Sequence, residues 1–144
     1  MCVHTRQLVS DYAGITIRNY FKEDISFADA VEVILQVSRA LQRLSKNGFA
    51  HNDIKDDNVC VLDEEKGPVA TVIDLGQATR IGGPGPYSYH SHPEHYPWNA
   101  PELLLRNPEP CSEASEAYSL AFMIMRLFPL LDEQALPPSL DAWV

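Results

Sequence analysis

Between Ser26 and Gly48, apolar residues return at Phe27, Val31, Ile34, Val37, Leu41 and Leu44, in steps of three and four. That spacing lays a single apolar stripe along a long amphipathic helix. Ser26 suits its N-cap, with Asp29 three residues on as a weak capping-box partner, and Asn47-Gly48 is a stop signal. At 144 residues the chain is about one ordinary domain and can bury a real core.

Val59 to Leu62 and Val69 to Ile73 are rich in β-branched residues, and Asp63-Glu64-Glu65-Lys66-Gly67 between them is a turn signal. A β-hairpin is therefore expected. Leu8-Val9 reads as the end of a strand, and Ser10 to Gly14 reads as a loop. The stretch from Gly76 to Asn99 is expected to be irregular, because Gly82, Gly83, Pro84, Gly85 and Pro86 bar regular structure early in it. Loops of that length inside a domain tend to be functional or mobile. A second helix is expected from Ser112 or Ser115 through Tyr118, Leu120, Phe122, Met123, Ile124 and Leu127. It is apolar nearly all round, so a buried position is expected.

The net charge of −9 runs against a nucleic-acid partner, since phosphate binding calls for a surplus of Lys and Arg. Cys2, Cys60 and Cys111 are odd in number and lack metal spacing, which fits a reduced, intracellular setting, cytoplasmic or nuclear. The longest apolar run, from Ala117 to Leu131, is broken by Arg126 and Pro129 and is too short to span a membrane. No N-terminal signal pattern follows Met1.

The chemistry concentrates in His51-Asn52-Asp53-Ile54-Lys55-Asp56-Asp57-Asn58-Val59 and, one hairpin later, Ile73-Asp74-Leu75-Gly76. Asp53 can orient a hydroxyl and accept its proton. Lys55 can neutralise charge on a transferring phosphoryl group, and Asn58 and Asp74 offer the oxygens that Mg²⁺ prefers. The hairpin would carry Asn58 at its start and Asp74 just past its end, bringing the two to one place. Singly, these motifs are weak: His-x-Asp is common, Asp-Leu-Gly is most often a strand ending in a turn, and Ala-Pro-Glu is most often a helix start. Their order carries the signal. His90, His92 and His95 read as a solvated or substrate-facing loop rather than a zinc site. Asp56, Asp57, Glu64 and Glu65 read as solvated acidic surface.

In that order the residues resemble the eukaryotic-type protein kinases. His51 to Asn58 looks like the catalytic loop, and Asp74-Leu75-Gly76 like the metal-binding Asp-Phe-Gly. Ala100-Pro101-Glu102 matches the motif that closes the activation segment. Leu8 to Ala13 is similar to the hinge between lobes. Ser115 to Leu120 is similar to the start of the buried central helix, with Glu116 where the family usually has Asp. The resemblance implies an α+β, mainly helical C-lobe with a small hairpin, acting on a protein substrate with ATP and Mg²⁺, and with neither nucleic acid nor membrane as partner. It implies Asp53 as base, Lys55 as the phosphoryl-stabilising cation, and Asn58 and Asp74 as metal ligands. It places the Asp11 and Ala13 backbone on adenine, Ser10 at the gatekeeper position, and Cys60 on the floor beneath the adenine. His51 and Leu75 would stack as internal packing residues. Lys55, two residues after the base, is similar to the Ser/Thr-specific branch.

The departures carry expectations of their own. Asn52 replaces the arginine that reads an activation-segment phosphate, so Tyr87, Ser88, Tyr89 and Ser91 are not expected to act as a phospho-switch through it. His95 stands near where Ser/Thr kinases often place a Thr. No Gly-rich loop or Val-Ala-x-Lys strand precedes the hinge-like residues. Residues 1–14 are therefore expected to be the hinge region and 15–144 an incomplete C-lobe, with the N-lobe absent. An inactive kinase-like scaffold and a small-molecule phosphotransferase are the competing functions. Ala100-Pro101-Glu102 speaks against the second, because the segment it closes serves to dock a peptide.

Overall fold

The computed structural model describes residues 11–83, 96–104 and 110–131. Within them the architecture is α+β: three α-helices and two small antiparallel sheets. β1 (Ile15–Thr16) leads straight into α1 (Ile17–Tyr20), α2 spans Phe27–Lys46, and β2 is Phe49–Ala50. β3 (Val59–Glu64) and β4 (Gly67–Val72) form the hairpin, β5 is Thr79–Arg80, and α3 is Glu113–Leu127.

α2 begins and ends where its signals stand. The Ser26 hydroxyl accepts the Asp29 N–H at 3.1 Å, and the Asn47 amide donates to the Arg43 carbonyl at 2.7 Å. Gly48 then turns the chain with φ +81°. The buried face is rotated from the expected stripe. Ala30, Val33, Val37 and Leu41 are buried, whereas Val31 and Leu44 are only half-buried. The hairpin causes the rotation, because α2 lies across β4 and anchors there with a polar side chain. Gln36 donates to the Pro68 carbonyl at 2.9 Å and accepts the Ala70 N–H at 2.8 Å. β4 is an edge strand in the order β1-β3-β4, and Gln36 occupies edge groups that would otherwise be open to foreign strands.

The hairpin is longer than its β-branched core indicated. Pairing runs from Val59↔Val72 out to Glu64↔Gly67, which leaves only Glu65 and Lys66 as the turn. Just after the segment read as loop, β1 adds a third strand, with Ile15 opposite Val61 and Thr16 opposite Cys60. Gly14 makes that approach possible. Its φ is +98°, and a Cβ there would stand 1.9 Å from the Val61 carbonyl oxygen. Leu8 and Val9 lie outside the described residues.

The main core joins Ile17, Phe21, Val33, Val37, Val59 and Val61 to Met123 and Leu127 of α3. Ile54 is fully buried in it, contributing roughly 1.5–3 kcal/mol. A second cluster joins Ala50, Ala100, Leu103 and Cys111.

α3 starts at Ser112 with a capping box to Ser115. It is not buried all round. Ser115, Glu116, Ser119, Met123 and Leu127 face inward, while Tyr118 and Met125 are exposed. Its first two turns thus bury polar side chains, of which Ser115 and Ser119 bond within the helix and its cap. The stretch expected to be irregular from Gly76 is partly ordered, since β5 pairs with β2 through Phe49↔Arg80 and Ala50↔Thr79. Among the described residues, no helix is long and apolar enough to cross a membrane.

Replacing Gly14 with Ala is expected to destabilise the fold by more than ~1 kcal/mol, since it adds a backbone clash to a left-handed φ. Chemical denaturation of the variant beside the parent measures this.

Candidate active site

The loop between β2 and β3 is held by a carboxylate from α3. Glu116 accepts the His51 N–H at 2.9 Å on one oxygen and the Asn52 N–H at 2.8 Å on the other. Two successive backbone N–H groups converging on one anion form a charge-assisted pair of bonds. This is why Glu116 is buried on the inner face of α3, whereas Ser115 and Ser119 bond within the helix and its cap. Asn52 adopts φ +64°, in the left-handed region that Asn tolerates.

His51 is fully buried and connects the loop to the end of the hairpin. The Asp53 N–H points to its Nδ1 at 3.3 Å, so Nε2 carries the hydrogen and donates to the Ile73 carbonyl at 3.0 Å. Its expected internal position holds, but the expected stack with Leu75 does not form. Leu75 is 60% exposed. A short 3-10 turn over Leu75–Gln77 follows Asp74 and carries that side chain outward.

Asp53, Ile54 and Lys55 divide by direction. Ile54 plugs the core, leaving Asp53 and Lys55 at the surface with side chains 13% and 26% exposed. Lys55 Nζ donates to Asp53 Oδ2 at 2.8 Å. Asn58 Nδ2 lies 2.9 Å from the same oxygen and 2.8 Å from the Asp53 carbonyl. The other oxygen, Oδ1, accepts the indole N–H of Trp98 at 3.0 Å. The Lys55 ammonium also stands 5.1 Å from the centre of the Trp98 ring.

The hairpin register brings Asn58 and Asp74 to one end. The Ile73 N–H bonds to the Asn58 carbonyl at 2.9 Å, and Asp74 is the next residue. Asp74 is exposed, has φ +62°, and accepts the Gly76 N–H at 3.1 Å. Asn52 and Asp74 are the only non-glycine residues with positive φ among those described. Asn58 turns its amide nitrogen to Asp53, so its amide oxygen, the atom a metal would take, has no hydrogen-bond partner among the described residues. An amide oxygen and a carboxylate are both oxygen donors of the kind Mg²⁺ takes, alongside waters and substrate phosphates. No group of three or more His, Cys, Asp or Glu converges among the described residues.

Of the expected nucleotide residues, Asp11 and Ala13 lie in an irregular segment just before Gly14 and β1, and Cys60 sits in β3 opposite Thr16. Burial pushes the Cys60 thiol up from its ordinary value, keeping it a neutral, apolar surface. Ser10, Tyr87 to Ser91, His92 and His95 lie outside the described residues.

Asp56 corrects the reading of the acidic surface. It is buried and bridges two helices, with Arg18 of α1 at 3.1 Å and Arg126 of α3 at 3.5 Å. The roles of Trp98 and Glu116 had no local sequence signal, because their partners are 45 and 64 or 65 positions away.

Asn52 has a structural task. Its Nδ2 lies 2.8 Å from Thr79 Oγ1 and 3.0 Å from the Gln77 carbonyl, pinning the loop to the start of β5.

A protein kinase domain description matches residues 4–133 of the chain, and the chain belongs to the protein kinase family. It is 28% identical over 131 residues to a probable serine/threonine-protein kinase of Dictyostelium discoideum, covering 87% of this chain and 8% of that protein. It is 33% identical over 97 residues to homeodomain-interacting protein kinase 2 of Mesocricetus auratus, covering 67% of this chain and 8% of that one. Serine/threonine-protein kinase 1 of African swine fever virus is 34% identical over 77 residues, covering 54% of this chain and 22% of the viral protein. The chain thus spans less than a quarter of the length of these curated relatives.

Substituting Glu116 by Gln leaves one loop N–H facing an amide NH₂ in place of an acceptor. A loss of about 1–3 kcal/mol is expected in equilibrium unfolding. Hydrogen exchange at the His51 and Asn52 amides is expected to speed up in the same variant.

Proposed function

We propose that the chain is the catalytic part of a protein kinase that moves the γ-phosphoryl of MgATP to a protein Ser or Thr hydroxyl. The observation that carries this reading is the Asp53 carboxylate, gripped on Oδ2 by both Lys55 and Asn58 at the surface of a loop whose backbone is locked from beneath.

Each carboxylate oxygen offers about two acceptor positions. Oδ2 has both taken, whereas Oδ1 carries only the Trp98 donor and retains one for a substrate O–H. Asp53 orients that hydroxyl and takes its proton as the oxygen attacks. Lys55, beside the same carboxylate, faces the charge that gathers on the transferring group. Asn58 and Asp74 would hold Mg²⁺, which supplies charge neutralisation at the phosphates. Asp11, Ala13 and Cys60 would line the adenine side together with Ser10. In this reading residues 1–14 are the hinge region and 15–144 belong to the C-lobe. The Ser/Thr preference rests on Lys55 and on the serine/threonine kinases among the relatives.

Asp53→Asn keeps the shape and removes the base. In a labelled-ATP transfer assay on the full protein, the rate is expected to fall about 10²–10⁴-fold. Full activity in that variant overturns the assignment. Phosphorylation of Tyr87, Ser88, Tyr89 or Ser91 is expected not to raise activity through Asn52, whose side chain is committed to Gln77 and Thr79. A phosphorylation-dependent rise that Asn52→Ala alone abolishes would contradict this.

A further inference from the structure

Trp98 lies two residues before the Ala100-Pro101-Glu102 motif, in the turn over residues 96–99. Its indole makes two contacts with the reacting pair. The N–H donates to Asp53 Oδ1 at 3.0 Å, and the ring face receives the Lys55 ammonium at 5.1 Å. Tyr96 braces the ring from the side, with centroids 5.9 Å apart and planes at 70°.

We propose that Trp98 is the positioning residue for both Asp53 and Lys55, an inference that rests on the phosphoryl-transfer reading. The argument is geometric. Lys55 and Asn58 both grip Oδ2, so they fix one oxygen and leave the carboxylate free to swing about it. The Trp98 N–H is the donor on Oδ1, and with it the carboxylate plane is set by contacts at both ends. The remaining acceptor position on Oδ1 then points in one direction, which is what a substrate hydroxyl requires. The same ring limits Lys55. An ammonium on a flexible stem has many placements, and the aromatic face next to Asp53 selects one of them. Trp98 acts through its contacts with Asp53 and Lys55, and it ties their geometry to the segment ending at Ala100-Pro101-Glu102.

The test separates the indole N–H from the ring. Trp98→Phe keeps an aromatic face for Lys55 and loses the donor to Asp53. In the full protein its kcat is expected to fall roughly 10–100-fold, the scale of a misplaced reacting group, with KM for ATP unchanged. Trp98→His restores an N–H on a flat ring and is expected to recover part of kcat. A second measurement does not depend on turnover. The indole N–H resonance of Trp98 is identified in ¹H–¹⁵N spectra as the one lost in Trp98→Phe, and it is expected to shift in Asp53→Asn. If that resonance ignores Asp53→Asn, or if Trp98→Phe leaves kcat unchanged or raises it, the inference is overturned. If the protein transfers no phosphoryl group yet the resonance responds to Asp53, the functional reading fails while the Trp98–Asp53 coupling stands.

Discussion

The site depends on one buried carboxylate. Glu116 takes the N–H groups of His51 and Asn52, and those bonds hold the loop in the shape that its other residues need. With Asn52 in the left-handed region, the chain reverses so that Asp53 emerges, Ile54 sinks into the core and Lys55 emerges again. A carboxylate accepting two backbone donors is compensated locally, so burying it does not strand a charge. The burial of Glu116 at the start of α3 follows from this task.

From that anchor the structure extends by short connections. His51 bridges from the loop to the Ile73 carbonyl, one residue before Asp74. Asn58 immediately precedes β3, and the hairpin register returns the chain to it at Ile73. Asn52 reaches across to Thr79, so the segment after Asp74 is tied to the same loop. Asp53, Lys55, Asn58 and Asp74 therefore share one small framework. Arg18 and Arg126 closing on Asp56 secure that framework to α1 and α3.

Much of the site was legible in the sequence because its chemistry is local. Asp53, Lys55 and Asn58 lie within six residues, so local spacing brings them near one another, and the structure gathers them around one carboxylate. The α2 limits were legible as well, because caps act within a turn. The errors fell where a distant partner decides. Asp56 looked like solvated surface because its arginines are 38 and 70 positions away. Leu75 looked like a packing residue, but the 3-10 turn after Asp74 leaves it in solvent.

The sequence by itself determined the two long helices, the hairpin, and the identity and order of the groups around Asp53. Those follow from periodicities and spacings of a few residues, which backbone geometry converts into structure directly. Only the tertiary structure decided that Glu116 holds the loop, that Gln36 closes the edge of β4, that Gly14 admits a third strand, and that Trp98 donates to Asp53. The physical reason is common to all four. Each satisfies a donor, an acceptor or a steric limit on a distant segment, and neither side of such a contact marks the other in the chain.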